Sequence, residues 1–162
     1  SEGLVGSEMC IRDSARLDAL TEFGLDHGIN YREKNLTQEV MKLTSGRGVD
    51  VVIDPVGGEV LEQSIASAGR RGRIVSVGTA GRDFSKVNVS GLAPGNKSLT
   101  GVFLGAEMAS ARAYDMVADL IRRAGMGELR MPIDRQYALA DAAQAHAYIE
   151  SRQAVGRVIL VP

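Results

Sequence analysis

The residues best suited to chemistry in this sequence lie in the stretch DVVIDPVGGE, at positions 50–59. A run of small apolar residues leads into an Asp-Pro step and a glycine pair, which is typical of a buried strand that opens onto a tight turn. Turns at the carboxyl ends of parallel strands are a common place for ligands in α/β proteins. The stretch therefore raises the question of whether this turn holds a dinucleotide.

The other chemistry-bearing residues do not form a recognisable catalytic set. Neither His27 nor His146 has a cysteine or an acidic residue at the spacing of a metal site, so we predict structural roles for both. The sequence also shows no paired carboxylates and no nucleophilic serine motif. We therefore identify neither a catalytic side chain nor a metal ligand in this chain.

A dinucleotide-binding fold normally carries a GxGxxG loop between its first strand and its first helix. The run GMGELR, at 125–130, has two of the glycines but follows a predicted helix and ends in arginine. The run GLVGSE, at 3–8, has the wrong spacing and no preceding strand. The sequence thus predicts turns that could hold a ligand, without the loop that usually binds the phosphates.

The composition excludes several classes of protein. A net charge of −1 over 162 residues gives no strong field for nucleic acid or a membrane surface. No apolar run approaches the roughly 20 residues of a membrane span, and no signal-peptide pattern is present. The single cysteine, Cys10, cannot form an internal disulfide, which fits a reducing compartment, and we predict the cytoplasm.

Strand and helix patterns alternate along the chain, which predicts an α/β fold with a parallel sheet and helices on both faces. Apolar residues at helical spacing predict helices at 15–23, 36–44, 59–68, 106–124 and 140–150. Short apolar runs predict strands at 27–31, 49–57, 72–78, 98–105, 133–137 and 156–162, with a long loop at 79–96. The expected inner stripe of the longest helix is Met108, Ala111, Met116, Val117 and Leu120.

The chain resembles the medium-chain dehydrogenase/reductase superfamily in five segments that occur in the right order: RLDALTEFGLDHGINYRE, GVDVVIDPVGG, GRIVSVGTAG, LTGVFLGA and GRVILVP. It is most similar there to the zinc-independent quinone oxidoreductases, over residues 14–162. The resemblance implies a partial Rossmann domain at 14–125, a doubly wound parallel sheet that lacks its first strands. It also implies a C-terminal return segment of the catalytic domain at 126–162.

The same resemblance implies that this chain is the C-terminal fragment of a longer protein. Residues 1–13 do not resemble the family and are interpreted as a non-native leader, so Cys10 is given no role. In the doubly wound order, strands 1 and 2 lie between strands 3 and 4. Without them we expect HGINY, at 27–31, to lack a neighbour and VDVVID, at 49–54, to expose an apolar edge.

The resemblance implies NADPH as the cofactor and places residues along its length. Arg16 and Tyr31 would contact the adenosine ribose and its 2′-phosphate. Val56 and Gly57 would lie under the adenine and ribose, and Arg157 would reach the pyrophosphate. The strand ends on either side of the nicotinamide would be Val77, Gly78, Thr79, Val102, Phe103 and Leu104. A purely structural interpretation stays open for each position. The arginines could be surface residues, the tyrosine could pack on its neighbours, and the other residues could belong to a turn or to core strands.

The activity implied by the resemblance is NADPH-dependent hydride transfer to a quinone or an α,β-unsaturated carbonyl compound. The chain alone is expected to be inactive, because the substrate contacts would come mainly from another domain. An enoyl reductase and a zinc-type alcohol dehydrogenase relative stay open as alternatives. A non-catalytic nucleotide-binding or dimerisation module is the alternative from another class.

The segment SLTGVFLG, at 98–105, has a second predicted role. In members of the family this strand is the outermost of the sheet and pairs antiparallel with its copy in a partner subunit. Because an apolar edge strand needs such cover, we expect a homodimer.

Overall fold

The computed structural model describes residues 8–11, 20–30, 33–84, 86–151 and 153–162, with the backbone alone described for 8–11. The described strands are β1 (Glu8–Ile11), β2 (His27–Asn30), β3 (Val49–Asp54), β4 (Ala68–Ser76), β5 (Ser98–Gly101), β6 (Ile133–Ala138) and β7 (Arg157–Val161). The described helices are α1 (Leu36–Leu43), α2 (Gly58–Ser67), α3 (Leu104–Glu107), α4 (Ala111–Gly125) and α5 (Ala142–Glu150). Three short 3-10 turns lie at Thr21–Phe23, Ser90–Gly95 and Leu139–Asp141. In the part of the chain that is described, no helix is long and apolar enough to cross a membrane.

The chain divides into two compact units, Ser1–Glu107 and Met108–Pro162. All strand pairing in the first unit is parallel, with β1 beside β2 and a three-stranded sheet in the order β3-β4-β5. The predicted α/β fold with parallel strands is therefore confirmed. The domain boundaries expected after residues 13 and 125 stay predictions.

The expectations for the two flanking strands had different outcomes. The expectation that HGINY would lack a neighbour is wrong, because β1 pairs with β2 from Glu8 opposite His27 to Ile11 opposite Asn30. The expected apolar edge on VDVVID is present, since β4 is the only described strand that pairs with β3. Ile53 is 69% exposed because it lies on the face of the sheet opposite to Val52 and α2.

One face of the three-stranded sheet forms the main core with α2. Residues that pair across parallel strands point to the same face, and Val52, Ile74 and Leu99 lie in one such row. These residues pack with Leu61 and Ile65 of α2. The row depends on the pairing register of the strands, because a one-residue slip of a strand would turn its side chains in the row to the other face of the sheet.

A smaller core joins α1 to β2. The helix begins at the cap Asn35, whose side-chain oxygen accepts a hydrogen bond from the Gln38 amide at 3.0 Å. Its buried residues Leu36 and Val40 pack on Ile29 of β2. The predicted helix at 36–44 is thus confirmed, with Leu36 and Val40 buried and Leu43 exposed.

The predicted helix at 15–23 is described only over its last residues, where the 3-10 turn Thr21–Phe23 ends at Gly24. Gly24 has a φ of 90° and is the left-handed residue that ends the turn. Residues 15–19 lie outside the described residues.

The predicted helix at 106–124 is wrong as a single element. The helical turn α3 ends at Glu107, and α4 begins after Ser110, whose hydroxyl accepts a hydrogen bond from the Ala113 amide at 3.2 Å. The expected inner stripe is also wrong for this chain, because Met116 and Leu120 are exposed. The strand expected at 98–105 stops at Gly101, since Leu104 already begins α3.

The second unit contains α4 and the parallel pair β6 and β7 with α5. Its β strands and α5 agree with the predicted elements at 133–137, 140–150 and 156–162. The hydroxyl of Tyr148 donates a hydrogen bond to Asp134 Oδ2 at 2.7 Å, and the Arg135 guanidinium lies 3.9 Å from the Tyr148 ring centroid. These contacts tie α5 to β6 through polar and aromatic groups.

Candidate functional site

A recess of about 370 Å³ opens at the carboxyl ends of β4 and β5. Its lining residues are Ser76, Val77, Gly78, Thr79, Gly101, Val102 and Phe103. Five of these, Val77, Gly78, Thr79, Val102 and Phe103, are residues that the sequence predicted for the nicotinamide. The structure therefore brings the two predicted strand ends together in one place.

The recess exists because the two segments that follow β4 and β5 separate after the last paired residues of these strands. Ser76 of β4 lies opposite Gly101 of β5, and the Val102 amide still donates to the Ser76 carbonyl at 2.8 Å. Beyond that bond the segment after β4 turns toward β3, where the Val77 amide donates to the Asp54 carbonyl at 2.8 Å. The segment after β5 continues into α3. The divergence leaves a gap at the strand ends, which is where ligands bind in open parallel sheets.

The walls of the recess are apolar and uncharged. Val77 and Val102 are partly exposed, and Phe103 is 76% exposed, so these side chains present apolar surface to the space between them. The polar side chains of the lining are the hydroxyls of Ser76 and Thr79. The seven lining residues include no titratable side chain, so the recess is suited to holding a flat, uncharged group and not to acid–base chemistry.

Next to the recess, the DPVGG turn is held by the side chain of Asp54, which is 2% exposed. Its Oδ1 accepts hydrogen bonds from the amides of Val56 at 2.8 Å and Gly57 at 2.7 Å, and its Oδ2 accepts one from the Ser64 hydroxyl at 3.1 Å. Two main-chain donors that could otherwise face a phosphate are therefore bound to a carboxylate. The turn is better suited to an uncharged part of a nucleotide than to its phosphates.

The glycine pair in this turn meets two separate structural needs. Gly57 has φ 78° and ψ −169°, a conformation that is essentially restricted to glycine, and its absent Cβ faces Thr79. Gly58 has φ 57°, and a Cβ there would overlap the carboxylate of Asp83. Both glycines let the segment 77–83 lie directly on the turn.

Backbone hydrogen bonds join the turn to that segment. The Ala80 amide donates to the Pro55 carbonyl at 2.9 Å, and the Gly81 amide donates to the Val56 carbonyl at 3.0 Å. Two further bonds join this region to α2: the Asn88 amide donates to Glu62 Oε1 at 2.7 Å, and Lys97 Nζ donates to the Ile65 carbonyl at 2.6 Å. Desolvation lowers the pKa of Lys97 at that contact. The predicted loop at 79–96 is therefore a loop that α2 holds in place.

The other predicted cofactor residues are distributed around or away from the recess. Val56 is partly buried and Gly57 is buried beside Thr79, so both lie next to the recess without lining it. Leu104 begins α3 and is exposed, but it does not line the recess. Arg157 begins β7 of the second unit and is exposed. Arg16 and Tyr31 lie outside the described residues.

The sequence prediction missed three residues of this region. Ser76 and Gly101 line the recess as the last residues of their strands, and strand ends in a parallel sheet were the available signal. Asp54 was identified only as part of a turn. An aspartate at the end of a strand commonly accepts a hydrogen bond from the main-chain amide two residues later. This turn-forming pattern could have revealed the hydrogen bonds of the Asp54 carboxylate.

The described residues contain no group of three or more His, Cys, Asp or Glu side chains that could hold a metal ion. Zinc independence stays a prediction, because the residues that would decide it need not lie in this part of the chain.

A family model described as "zinc-binding dehydrogenase" matches residues 23–160. The chain is 33% identical over 139 residues to a quinone oxidoreductase of Pseudomonas aeruginosa, a match that covers 83% of this chain and 42% of the relative. It is 28% identical over 151 residues to a 2-haloacrylate reductase of a Burkholderia species, covering 91% of this chain and 45% of that relative.

Solved structures agree with these sequence matches. The quinone oxidoreductase of Escherichia coli, solved in complex with NADPH, superposes with a TM-score of 0.82 at 27% identity. The superposition covers 97% of this chain and 49% of that one. The chain therefore spans slightly less than half the length of each of these three relatives.

Proposed function

The chain belongs to the zinc-binding dehydrogenase family, and on that premise we propose that it supplies the cofactor-binding half of an NADPH-dependent oxidoreductase. The observation that carries the proposal is the recess at the ends of β4 and β5, where two predicted strand ends meet. The likeness to a quinone oxidoreductase in complex with NADPH supports the choice of cofactor. The activity belongs to this proposal, because the chain spans less than half of its relatives.

We propose that the nicotinamide end of NADPH occupies the recess. Val77, Val102 and Phe103 offer apolar surface to the faces of the ring, and the segment 77–79 brings main-chain groups and the Thr79 hydroxyl near its carboxamide. The bound nicotinamide would supply a hydride. The residues of the recess would orient the ring and exclude water, and they would move no proton, because none of them is titratable.

We propose that the adenosine end lies toward the DPVGG turn, with Val56 and Gly57 against the adenine and ribose. Arg16 and Tyr31 would bind the 2′-phosphate, and Arg157 would contact the pyrophosphate. A cation and a hydroxyl directed at that phosphate would select NADPH over NADH. Equal affinities of a full-length protein for the two nucleotides would contradict this assignment.

The proposed substrate is a quinone or an α,β-unsaturated carbonyl compound. The matches to a quinone oxidoreductase and to a 2-haloacrylate reductase, whose name specifies an unsaturated acid, both favour reduction of an activated double-bond system. An enoyl reductase or a zinc-type alcohol dehydrogenase relative is the alternative within the class. We propose that the 162-residue chain alone shows no NADPH-dependent quinone reduction above background, and measurable turnover by it would refute this.

We further propose that β5 forms the edge of a homodimer and that the protein acts in the cytoplasm. Among the described strands, β5 pairs only with β4, so its other edge offers free main-chain positions to a second copy. Thr100→Lys would place like charges across an antiparallel pair of such edges and should shift the sedimentation equilibrium toward monomer. An unchanged dimer in this variant would argue for a different interface.

The test of cofactor binding uses two valine variants of the same chain. Val77→Glu places a carboxylate in the recess, and it should weaken NADPH binding by about tenfold or more, as the loss of one apolar contact and a repulsive charge imply. Val89→Glu makes the same change at an exposed site outside the recess and should leave the affinity unchanged. NADPH fluorescence titration gives both dissociation constants.

Equal effects of the two valine variants would mean that the nucleotide does not enter this recess. Tight binding of NADPH that both variants leave intact, together with no turnover in a full-length protein, would instead favour the non-catalytic nucleotide-binding module.

A further inference from the structure

We propose that Asp54 is a positioning residue, which sets the shape of the recess without contacting the ligand bound there. The inference deepens the proposed function and rests on it for its ligand. Asp54 ends β3, and its side chain is almost completely buried. It does not line the recess itself, so any effect on binding must pass through other residues.

The first step is the set of hydrogen bonds by which the carboxylate holds its own turn. Its Oδ1 accepts from the amides of Val56 and Gly57, which fixes the two peptide groups that follow Pro55. Its Oδ2 accepts from the Ser64 hydroxyl on α2. One side chain thus joins the end of β3, the turn and the helix that follows.

The second step is the contact of that turn with the recess wall. The carbonyls of three consecutive residues, 54, 55 and 56, accept hydrogen bonds from the amides of Val77, Ala80 and Gly81 at 2.8, 2.9 and 3.0 Å. The carbonyls of Pro55 and Val56 lie in the turn that the carboxylate holds, so their bonds to Ala80 and Gly81 depend on the orientation of that turn, whereas the Asp54 carbonyl is the last of β3. Because residues 77–79 form one wall of the recess, the Asp54 side chain determines where that wall lies.

The third step is the chemistry that an aspartate brings to this place. One carboxylate oxygen can accept two main-chain donors while the other accepts a hydroxyl. An asparagine keeps the first oxygen, and its amide can donate to the Ser64 hydroxyl, which accepts as well as donates. An alanine leaves buried amides without a partner. Aspartate should therefore hold the wall most firmly in its native position, asparagine less firmly and alanine least.

The experiment compares Asp54→Asn and Asp54→Ala with Asp50→Asn, a control on the same strand. Asp50 is exposed and pairs with Arg47, away from the recess, and its change has the same chemistry. Two readouts are taken below the melting temperature of every variant. The first is the dissociation constant for NADPH, and the second is amide hydrogen exchange at Ala80 and Gly81.

Asp54→Ala should raise the dissociation constant by about 10- to 100-fold, the range expected when hydrogen bonds to a charged group are lost. Exchange at Ala80 and Gly81 should speed up in the same variant. Asp54→Asn should recover most of both losses, and Asp50→Asn should match the wild type. A purely structural role would lower stability without moving the affinity of the folded protein.

Unchanged affinity and unchanged loop exchange in folded Asp54→Ala would overturn the proposal. If that variant does not fold, Ser64→Ala takes its place, because it removes only the bond to Oδ2, and unchanged exchange at both amides there would also overturn it. If the wild type does not bind NADPH, the proposed function fails. The exchange readout then still decides the role of Asp54, so the two failures can be told apart.

Discussion

Replacing Gly57 with alanine tests whether the turn under the recess is a strained backbone that only glycine tolerates. The φ of 78° and ψ of −169° place Gly57 in a region that is essentially closed to other residues, at a cost of up to about 3 kcal/mol. The new Cβ would meet Thr79 Cγ2 at 3.4 Å, which is an ordinary contact distance. The loss of stability should therefore come from the backbone and not from a clash.

Gly24→Ala is the matched control, because Gly24 lies in the same compact unit and has no atom near its absent Cβ. Its φ of 90° and ψ of 22° are left-handed helical, a conformation that costs an alanine about 1 kcal/mol. Urea unfolding followed by circular dichroism gives both values. With an m-value of about 2 kcal/mol per molar, the midpoint should fall by about 1.5 M for Gly57→Ala and about 0.5 M for Gly24→Ala.

Equal midpoint shifts for the two glycine variants would refute the reasoning, because the difference rests only on the ψ angle of Gly57. A smaller loss at Gly57 than at Gly24 would mean that the turn relaxes without cost. In that case the hydrogen bonds from Ala80 and Gly81 would not fix the turn as the structure indicates.

Two further predictions concern the core and the second unit. Ile65→Ala should lower the unfolding free energy by about 2–5 kcal/mol, because Ile65 is fully buried on the sheet. Ile53→Ala changes an exposed position and should stay within about 0.5 kcal/mol. Similar losses for the two variants in urea unfolding would contradict the assignment of the covered face. The hydrogen bond to Asp134, with desolvation second, raises the pKa of Tyr148. Its stabilising contribution is therefore complete below about pH 10 and lost as the pH rises through the raised pKa. Tyrosinate absorbance should show that Tyr148→Phe removes a phenol that ionises above pH 10. If the phenol that disappears has an ordinary pKa instead, the result would count against the contact.

The predicted part of the site came from two sources, the local pattern of the strands and the resemblance to a known family. Apolar runs such as VDVVID and GRIVSVG have no alternation, so they indicate parallel strands buried among neighbours, and parallel strands bring their carboxyl ends to one edge. The resemblance to the family then names Val77–Thr79, Val102 and Phe103 as the strand ends that flank one site. The structure confirms that these strand ends meet in one recess.

The errors fall where a local helix cap or the need for a distant partner surface overrides the helical spacing. The apolar spacing of 106–124 fits one helix, but Ser110 offers a cap that starts a new helix at Ala111. The stripe containing Met116 was expected to be buried, and amphipathic spacing says only which side chains share a face. Whether that face is covered depends on a partner surface, which no spacing within the helix specifies.

The sequence by itself determined the order of the elements, the parallel character of the strands and the edges at which a ligand could bind, because these follow from periodicity and turn chemistry over a few residues. Only the tertiary structure decided that the glycine pair admits the segment 77–83 and that carbonyls 54–56 anchor the recess wall. The hydrogen bonds among those contacts join residues 23 to 25 positions apart in the sequence. They depend on the distance and direction between donor and acceptor atoms, which are fixed only when α2 packs on the sheet.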